Sequence, residues 1–524
     1  MNMYIITQAS NKHLDTITMM KPILSTHLYF SLFLHMIVVT IFVAGDSPPI
    51  YNAVEDITVN CGYSGHIFNA YDQRNWTRDI NSKFSPSEHQ AIGNTSILKK
   101  APHLYTVQQV PYTTTRLSHS EFTYRFFNLT AGQKFVRLYF YPASYPDFDP
   151  SKALFSVKAG GFTLLHDFNA SVTAAASGPE ETVYREFCMN IEEEEEQSLS
   201  ITFTPSRAIP DAYAFINGIE IVSMPINLYY TAPESADGII YIGKENTIRL
   251  ENSSALEMVY RINVGGSTAP FYEDTGMYRN WYDYTYEKWY LEELSLRWSV
   301  LPQNVSIQLN WDSSQIPEYS APKQVYQTAR SMGNNITRNQ RYNLTWQFPV
   351  DPNFSYLVRL HFCEFESEIT KPRTRQFQIY IANIKAELMD VISWSRGNGI
   401  PMYKDYLVFM PAGSEKKVNL SITLQAIPIL WMSRTSDAIL NGLEIFKVND
   451  TMGNLAGPNP NPPPTTPHTA MQSRTRDPKS KRHNVIMATQ PAKRPTKPSA
   501  QDHPYRPLCV TAFSWRRSKP PPET

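Results

Sequence analysis

The feature that most constrains the fold is an internal duplication, in which short segments occur twice in the same order. Residues 60–62 (NCG) correspond to residues 263–265 (NVG), and residues 214–221 (AFINGIEI) correspond to residues 438–445 (AILNGLEI). The offset between the two copies grows from 203 to 224 residues, as insertions in the loops of the second copy would produce. A unit of this length is a whole domain, so the sequence predicts two related domains in tandem.

Apolar residues alternate with polar ones in both copies, which is the pattern of a β-strand with one buried face. Residues 418–424 (VNLSITL) alternate throughout, and Leu199, Ile201 and Phe203 mark the corresponding strand of the first copy. A helical pattern fits only residues 286–298. The 39 prolines and an aromatic fraction of 13% also favour short strands joined by turns. We therefore predict an all-β protein with one β-sandwich for each copy.

Composition divides the chain into five regions. Residues 1–46 form a leader, residues 48–225 the first domain, residues 226–256 a turn-rich connection, residues 257–450 the second domain and residues 451–524 a tail. The tail is rich in proline and in basic residues and almost lacks periodic apolar residues. We therefore predict that the tail is disordered.

The leader contains a 17-residue apolar run, residues 28–44, which follows Lys12 and Lys21 and ends in the small residues Ala44 and Gly45. This arrangement is typical of a secretory signal peptide. A retained signal anchor is the alternative interpretation, but the run is short for a segment that crosses a bilayer. We expect a secreted or cell-surface protein.

Eleven Asn-x-Ser/Thr sequons support export, because such sites are glycosylated only in the secretory pathway. All of them precede the tail. Asn75 is set aside, because it belongs to the motif Arg74-Asn75-Trp76 that recurs in the second copy. The other ten are predicted glycosylation sites: Asn94, Asn128, Asn169, Asn252, Asn304, Asn335, Asn343, Asn353, Asn419 and Asn449.

The chain has only four cysteines, too few for a fold built on disulfides, so hydrophobic cores must stabilise both domains. Cys61 and Cys188 fall in the first domain. A disulfide between them is one interpretation, and two separate thiols are the other. Cys363 has no cysteine partner in the second domain and is predicted to be a buried thiol.

The formal net charge of zero is the sum of an acidic body and a basic tail. Residues 48–450 contain 34 Lys and Arg against 43 Asp and Glu, whereas residues 451–524 contain 12 against 3. An acidic body repels nucleic acids and polyanionic glycans, and it attracts basic peptides over the distance that salt screening permits. The charge therefore argues against a nucleic-acid partner and favours a basic one.

Several strand-like segments are specific enough in combination to indicate a family. Residues 135–142 (FVRLYFYP), 154–157 (LFSV), 168–171 (FNAS) and 213–220 (YAFINGIE) resemble the ectodomains of FERONIA-type malectin-like receptor kinases of plants. The resemblance covers roughly residues 48–450. It implies two tandem malectin-like β-sandwich domains, jelly-roll-like in form, and an extracellular location.

The resemblance also implies partners. It leads us to expect recognition of small basic secreted signalling peptides of the rapid-alkalinisation-factor type, together with a GPI-anchored co-receptor. Pectic cell-wall glycans are a second expected ligand class, and a cell-wall lectin that binds pectin is the alternative function. The acidic body agrees with a basic peptide and less well with a polyuronate.

Members of the family continue into a transmembrane helix and a cytoplasmic kinase, and neither is found after Asp450. The tail contains no long apolar segment, no glycine-rich phosphate loop and no His-Arg-Asp catalytic loop. A truncated gene product and a soluble receptor are both consistent with this departure. We predict a binding protein without enzymatic activity and without catalytic residues.

Other chemical motifs are incomplete. Residues 238–245 (GIIYIGKE) have the outline of a phosphate loop but end in Glu where Ser or Thr is needed, so we predict a strand and no nucleotide. Glu364, Glu366 and Glu368 alternate as glycosidase carboxylates could, although a solvated strand end is the simpler explanation. Residues 192–196 (EEEEE) indicate a solvated turn or, alternatively, an electrostatic patch. The histidines and cysteines lack metal-ligand spacing, so no metal or cofactor is predicted.

Aromatic side chains are the best candidates for recognition, since peptide and carbohydrate sites both use their flat amphipathic faces. Arg279 and Trp281 of the second copy recur as Arg74 and Trp76 of the first, so we interpret these four as framework residues. The aromatic residues around them in the second copy are the predicted ligand-binding residues: Tyr278, Tyr282, Tyr284, Tyr286, Trp289 and Tyr290.

Overall fold

The computed structural model describes residues 50–88, 96–103, 109–176, 182–193, 197–235, 237–427 and 435–461. The predicted leader and most of the predicted tail lie outside the described residues, as do Asn94 and residues 194–196 of the glutamate run. The described residues from Tyr51 onward belong to one compact unit.

In its described part, the first copy is built from short strands and one short helix. The strands are β1 (Asp56–Asn60), β2 (Ile67–Asn69), β3 (Arg74–Arg78), β4 (Ser87–Glu88), β5 (Ile97–Lys100), β6 (Thr114–Ser118), β7 (Phe122–Phe127), β8 (Gly132–Phe140), β9 (Leu154–Ala159), β10 (Phe162–Asn169), β11 (Val183–Ile191), β12 (Ser198–Pro205), β13 (Ala214–Ile216) and β14 (Gly218–Ser223). Helix α1 (Ala170–Ala176) follows β10, and a 3-10 turn occupies Pro150–Lys152.

The second copy adds longer loops and more helical turns. Its strands are β15 (Ile239–Tyr241), β16 (Thr247–Ile248), β17 (Leu256–Asn263), β18 (Arg330–Ser331), β19 (Leu344–Val350), β20 (Phe354–Phe362), β21 (Phe377–Ile381), β22 (Ile384–Met389), β23 (Met402–Met410), β24 (Val418–Ala426), β25 (Ile439–Leu440) and β26 (Gly442–Val448). Its helices are α2 (Tyr284–Glu287), α3 (Glu293–Trp298), α4 (Lys323–Gln327), α5 (Ile336–Asn339) and α6 (Val391–Ser395), with 3-10 turns at Phe271–Glu273 and Glu318–Ser320. Across the described ranges, no helix has both the length and the apolar character needed to span a bilayer.

Each copy is a β-sandwich in which an outer sheet packs on a larger sheet. The outer sheet has the order β10-β9-β12-β7-β4 in the first copy and β19-β24-β21-β22 in the second. Phe140 of β8 packs on Phe155 of β9 with ring centroids 5.7 Å apart. The corresponding rings of the second copy, Phe362 of β20 and Phe377 of β21, lie 6.0 Å apart. Equivalent sheet-to-sheet contacts fill both cores, and the predicted all-β fold is confirmed.

The strands follow the alternation of the sequence. In β24 the side chains of Leu420, Ile422 and Leu424 are buried, whereas Asn419 and Gln425 are exposed. Burial of each such aliphatic side chain contributes about 1.5–3 kcal/mol to folding. The period of two therefore places one face of the strand in the core and leaves the other face polar.

The repeated Asn-Gly motif has the same structural role in both copies. The buried amide of Asn217 accepts a hydrogen bond from the backbone amide of Tyr141 at 2.7 Å and donates one to the carbonyl of Thr114 at 2.9 Å. Asn441 makes the equivalent pair of backbone contacts in the second copy, at 2.8 and 2.9 Å. Each asparagine thus satisfies buried backbone groups that no strand partner reaches.

Twelve strands form one sheet that runs through both copies, in the order β16-β15-β23-β20-β26-β17-β11-β8-β14-β1-β3-β2. The junction between the copies is the antiparallel pair of β11 and β17, in which Phe187 faces Glu257 and Cys188 faces Leu256. The predicted connection, residues 226–256, also belongs to this sheet, because β15 and β16 extend it beside β23. The two domains are therefore joined by strand pairing as well as by the chain between them.

The segment that follows the second domain, residues 451–461, packs on the first domain. The backbone amide of Leu455 donates to the carbonyl of Thr163 at 2.9 Å, and the Leu455 side chain is fully buried. The Asn459 side chain accepts a hydrogen bond of 2.8 Å from the backbone amide of Asn169. Residues 451–461 are therefore not disordered as predicted, because the apolar side chain of Leu455 and the side-chain amide of Asn459 fix this stretch on β10.

Cys61 and Cys188 are buried free thiols, so the disulfide considered for them is absent. Cys188 lies on β11 and Cys61 directly follows β1, and β8 and β14 lie between these two strands. Three strand spacings of about 4.8 Å separate the cysteines by roughly 14 Å, twice the Cα distance of about 7 Å that a disulfide can bridge. Cys363 is a buried free thiol, as predicted. Burial raises the pKa of each of these thiols.

Candidate functional site

A row of charges, all buried except the half-buried Asp405, crosses the shared sheet from one copy to the other. Its members alternate in sign on seven neighbouring strands: Glu220 (β14), Arg137 (β8), Glu186 (β11), Arg261 (β17), Glu444 (β26), Arg359 (β20) and Asp405 (β23). Neighbouring members form ion pairs of 2.5–2.9 Å, except that Arg359 and Glu444 meet as cross-strand partners. We call these seven residues the charge ladder.

Pairing is what makes the burial of these charges tolerable, because an unpaired charge in a protein core is strongly destabilising. Burial by itself would raise the pKa of Glu186, but the guanidinium groups of Arg261 and Arg137 outweigh it and hold the pKa at about 2. Burial likewise opposes ionisation of Glu444, and its contacts with His361 and Arg261 lower the pKa. These carboxylates therefore stay ionised at neutral and mildly acidic pH.

The junction also fixes the first of the predicted ligand residues, Tyr278. Arg137 of the charge ladder donates a hydrogen bond of 2.8 Å to the carbonyl of Met277. The guanidinium of Arg74 lies over the Tyr278 ring, 3.8 Å from its centroid. Tyr278 is half-buried, and its ring is engaged by the first domain through this cation–π contact. Its position is therefore that of a junction residue.

Three other predicted ligand residues, Tyr282, Tyr286 and Tyr290, lie in the hydrophobic core. Tyr282 stacks on Tyr286 with ring centroids 4.5 Å apart, and Tyr286 meets Tyr290 edge-on at 5.3 Å. Their rings pack on other protein side chains and are not presented at the surface. The density of aromatic residues here reflects core packing. The framework interpretation of Arg279 and Trp281 is confirmed, since both are fully buried.

The remaining two predicted residues are exposed: Tyr284 by 44% and Trp289 by 73%. They belong to residues 284–305, which carry seven exposed large hydrophobic side chains: Tyr284, Trp289, Leu294, Leu296, Val300, Leu301 and Val305. We call this stretch the apolar segment. Seven large exposed hydrophobic side chains within 22 residues of the chain make this stretch a candidate protein-binding surface. Sequence reasoning missed the five aliphatic members, because it considered only aromatic side chains as recognition residues.

A buried carboxylate, Glu287, anchors the start of the apolar segment. Glu287 accepts hydrogen bonds from the amide of Gly265 at 2.9 Å, from the guanidinium of Arg330 at 2.7 Å and from the indole of Trp346 at 2.9 Å. The side chain of Asp283 caps α2 by accepting hydrogen bonds from two backbone amides. The backbone that carries Tyr284 is therefore held in place, which lowers the entropy cost of binding at the start of the segment.

A groove of about 980 Å³ opens on the first domain, and we call it the acidic groove. Its charged lining consists of four carboxylates, two permanent cations and a histidine: Glu121, Asp147, Asp149, Asp211, Lys152, Arg207 and His119. The Thr204 hydroxyl donates to Glu121 at 2.8 Å, and the Lys152 ammonium donates to the Pro210 carbonyl at 3.0 Å. The excess of carboxylates suits a basic ligand. Sequence reasoning missed this groove, because its residues come from three loops that are distant in the chain.

The three alternating glutamates do not share one exposed strand face, because β20 ends before them. Glu364 is fully buried and pairs with Arg375 at 2.5 Å. Arg375 also binds Glu366 at 2.9 Å and Asp437 at 2.8 Å. Burial raises the pKa of Glu364 to about 7, although Arg375 opposes this shift. Only Glu368 is solvent-exposed, and the other two glutamates form a cluster of ion pairs around one arginine.

Two further motifs are placed by the structure. The segment with the outline of a phosphate loop, residues 238–245, contains β15 and a turn, as the strand prediction required. Glu192 and Glu193 of the glutamate run are exposed after β11. In the part of the chain that the structure describes, no three His, Cys, Asp or Glu side chains are grouped around a site for one metal ion.

The predicted glycosylation sites differ in exposure. Six of them are exposed: Asn128, Asn252, Asn335, Asn343, Asn353 and Asn419. Asn169, Asn304 and Asn449 are half-buried, and their side chains bind backbone groups. Asn75, which was set aside, is exposed on β3. A glycan can be attached to the exposed asparagines without loss of a hydrogen bond from the asparagine side chain to the backbone. Asn335 is the exception, because its side chain caps α5.

Comparison with known proteins adds independent information. Residues 59–448 match the family described as malectin-like domain. The receptor-like protein kinase FERONIA of Arabidopsis thaliana is 42% identical over 447 residues, which cover 84% of this chain and 47% of that protein. This chain thus spans about half the length of the curated relatives it matches.

Solved structures agree with the sequence comparison. A crystal structure of the plant receptor-like kinase FER is similar with a TM-score of 0.68 and 41% identity, covering 78% of this chain and 100% of that chain. A crystal structure of the plant peptide RALF23 in complex with FER and LLG2 is similar with a TM-score of 0.68 and 40% identity, covering 78% of this chain and 99% of that chain.

Proposed function

This chain belongs to the malectin-like domain family, and from that premise we propose that it is the extracellular ligand-binding region of a plant receptor. We propose further that it recognises a basic secreted signalling peptide of the rapid-alkalinisation-factor type together with a GPI-anchored co-receptor. The proposed role is recognition at the cell surface, and no catalytic step is part of it.

One observation carries the proposal. The chain is similar along 99% of the FER chain that was crystallised with the peptide RALF23 and with LLG2. The two backbones are similar, with a TM-score of 0.68 at 40% sequence identity. We propose that the present chain binds a peptide and a co-receptor in the same way.

The apolar segment is the surface that we assign to this complex. Trp289 is its most exposed member, and a large aromatic residue on a rigid support is the usual centre of a binding hot spot. Glu287 and Asp283 hold the backbone on either side of Tyr284. The occupant we commit to is the peptide together with its co-receptor, since a protein surface matches exposed leucine and valine side chains better than a hydrated sugar does.

The acidic groove gives the proposal an electrostatic component. Its four carboxylates raise the local concentration of a basic peptide and increase the rate of association. The same charge disfavours the alternative ligand, a pectic polyuronate, which would be repelled at low ionic strength. For this reason we rank a pectin-binding lectin second.

The proposal is tested by titration of the secreted protein with a synthetic basic peptide of this class, with and without a purified GPI-type co-receptor ectodomain. We expect saturable binding that the co-receptor strengthens by at least about tenfold. Oligogalacturonide titrated in parallel is expected to give no saturable signal. Saturable binding of oligogalacturonide without binding of any basic peptide would replace the proposed function by the lectin alternative.

A further inference from the structure

The outer sheet of the second domain presents a polar face that the proposed function does not use. Its outward side chains form rows across β21, β24 and β19, because the strand register places Tyr380 opposite Thr423 and Thr423 opposite Thr345. Next to this row, the exposed Gln425 lies opposite Gln378, whose side chain is buried. The alternating sequence of β24 thus produces a flat array of amides and hydroxyls.

A groove of about 270 Å³ follows this array. It is lined by Glu292, Asn343, Thr345, Gln347, Tyr380, Asn383, Thr423 and Gln425. All eight are polar, and one of them is charged. We call this site the amide groove. Its composition disfavours an apolar ligand, and its single charge, Glu292, already accepts a hydrogen bond from Gln347.

The side chains of the amide groove are held by hydrogen bonds with one another. Gln347 donates to Glu292 at 2.8 Å, and the Tyr380 hydroxyl donates to Gln425 at 3.1 Å. The hydroxyls of Thr423 and Thr345 lie 3.1 Å apart. This cross-linking preorganises several donors and acceptors beside one tyrosine ring. A neutral carbohydrate combines many hydroxyls with a flat apolar ring face, which is the chemistry that such a surface recognises.

The edge of the amide groove is formed by Asn343, the acceptor of the sequon Asn343-Leu344-Thr345. Asn343 is exposed, so its side-chain amide is accessible for modification. A glycan attached at Asn343 starts within the groove. Because the glycan is tethered, its effective concentration at the groove is about millimolar or higher, far above that of a free oligosaccharide.

We propose that the amide groove is the seat of the chain's own N-linked glycan at Asn343. The first sugar residues lie across Thr423, Gln425 and Tyr380, with the tyrosine ring against a sugar face. The seated glycan covers the outward face of the second domain's outer sheet up to Glu292, where the apolar segment adjoins the groove.

The experiment uses the full chain secreted from a eukaryotic host. Glycopeptide mass spectrometry first measures occupancy at Asn343 and at Asn252, an exposed sequon in the connection that serves as the matched control. The folded protein is then treated with an N-glycosidase, and release is followed at both sites. We expect release at Asn343 to be slower than at Asn252 by at least about tenfold, since a seated glycan must leave its site before cleavage.

A variant of the amide groove distinguishes a glycan that is bound in the groove from one whose release is slowed only by neighbouring protein atoms. Y380A/Q425A leaves the sequon and the inward core residues intact, and it is expected to bring the release rate at Asn343 up to that at Asn252. N343Q should lower the midpoint of thermal unfolding, whereas N252Q should not. An unoccupied Asn343, or equal release rates at the two sites in the unmodified protein, overturns the proposal. Binding of a free mannose oligosaccharide to a chain with unoccupied Asn343 would identify the groove as an ordinary lectin site and also overturn it.

Discussion

The guanidinium of Arg261 donates a hydrogen bond of 2.9 Å to the carboxylate of Glu186, and both side chains are fully buried. Arg261 belongs to the second domain and Glu186 to the first. Each also has a partner within its own domain, Glu444 at 2.8 Å and Arg137 at 2.7 Å. The contact thus links two halves of the charge ladder into one network. The relative position of the two domains is therefore fixed by buried contacts.

Removal of one charge at this junction should be strongly destabilising. We expect Arg261→Met to lower the free energy of unfolding by about 3–5 kcal/mol, because Glu186 and Glu444 each lose a buried cation. Denaturant unfolding followed by fluorescence measures the change. Arg125→Met, at an exposed position of β7, is the control and should stay within about 0.5 kcal/mol of the unmodified protein.

The double variant R261M/E186L sharpens this test. The double variant removes the buried carboxylate that R261M deprives of its partner in the other domain, so it should be more stable than R261M alone. A single variant as stable as the unmodified protein would show that the junction does not depend on this ion pair.

The cluster around Arg375 should make stability depend on pH in a defined window. The folded protein raises the pKa of Glu364 from 4.5 to about 7, chiefly through burial. Between these values the folded state binds more protons than the unfolded state, so this group's contribution to stability falls as the pH rises from about 4.5 to 7.

The variant Glu364→Gln isolates this effect, because its side chain stays neutral at every pH. Relative to Glu364→Gln, the unmodified protein should lose on the order of 2–3 kcal/mol of stability between pH 4 and pH 8. Urea unfolding at several pH values measures the difference. Parallel pH profiles for the two proteins would contradict the assignment.

The segment after the second domain should contribute to stability through Leu455. Truncation of this fully buried side chain in Leu455→Ala leaves a cavity, and we expect a loss of about 2–5 kcal/mol. Hydrogen exchange at the Leu455 amide, which is bonded to Thr163, should also become faster. Met452→Ala is the matched control, because Met452 is 85% exposed. Equal stability of the two variants would place this segment outside the folded unit.

Electrostatic attraction should govern part of the affinity for a basic peptide. The dissociation constant is expected to rise at least about tenfold between roughly 50 mM and 500 mM salt, since screening weakens the field of the acidic body. The variant E121Q/D211N of the acidic groove should weaken binding at low salt and reduce this salt dependence. Glu251→Gln, an exposed carboxylate of the connection, is the control. A salt dependence that E121Q/D211N leaves unchanged would exclude the groove from recognition.

Much of the fold follows from local patterns in the sequence. The duplication sets the number of domains, because Asn217 and Asn441 perform the same backbone contacts in each copy. Strands such as β24 are predictable from their period of two. The repeated glycines are predictable as well, since Gly62 and Gly265 both have positive φ and approach a backbone carbonyl where a Cβ atom would collide.

The relations between distant segments could not be predicted from the sequence. The pairing of β11 with β17 depends on how two sandwiches meet, and no alternation pattern records which edges join. The burial of Glu364, Arg261 and Glu186 contradicts the usual rule that charged residues are exposed, and only their three-dimensional pairing explains it. Among the aromatic candidates, Tyr286 and Trp289 are close in the chain, yet one is in the core and the other at the surface.

The most direct test of the proposed recognition compares the unmodified protein with Trp289→Ala and Phe127→Ala. Both side chains are exposed aromatic residues, one in the apolar segment and one on β7 of the first domain. In a calorimetric titration with a basic peptide and its co-receptor, Trp289→Ala should weaken binding by at least about tenfold, whereas Phe127→Ala should not change it. Equal affinities for all three proteins would contradict the assignment of the apolar segment as the recognition surface.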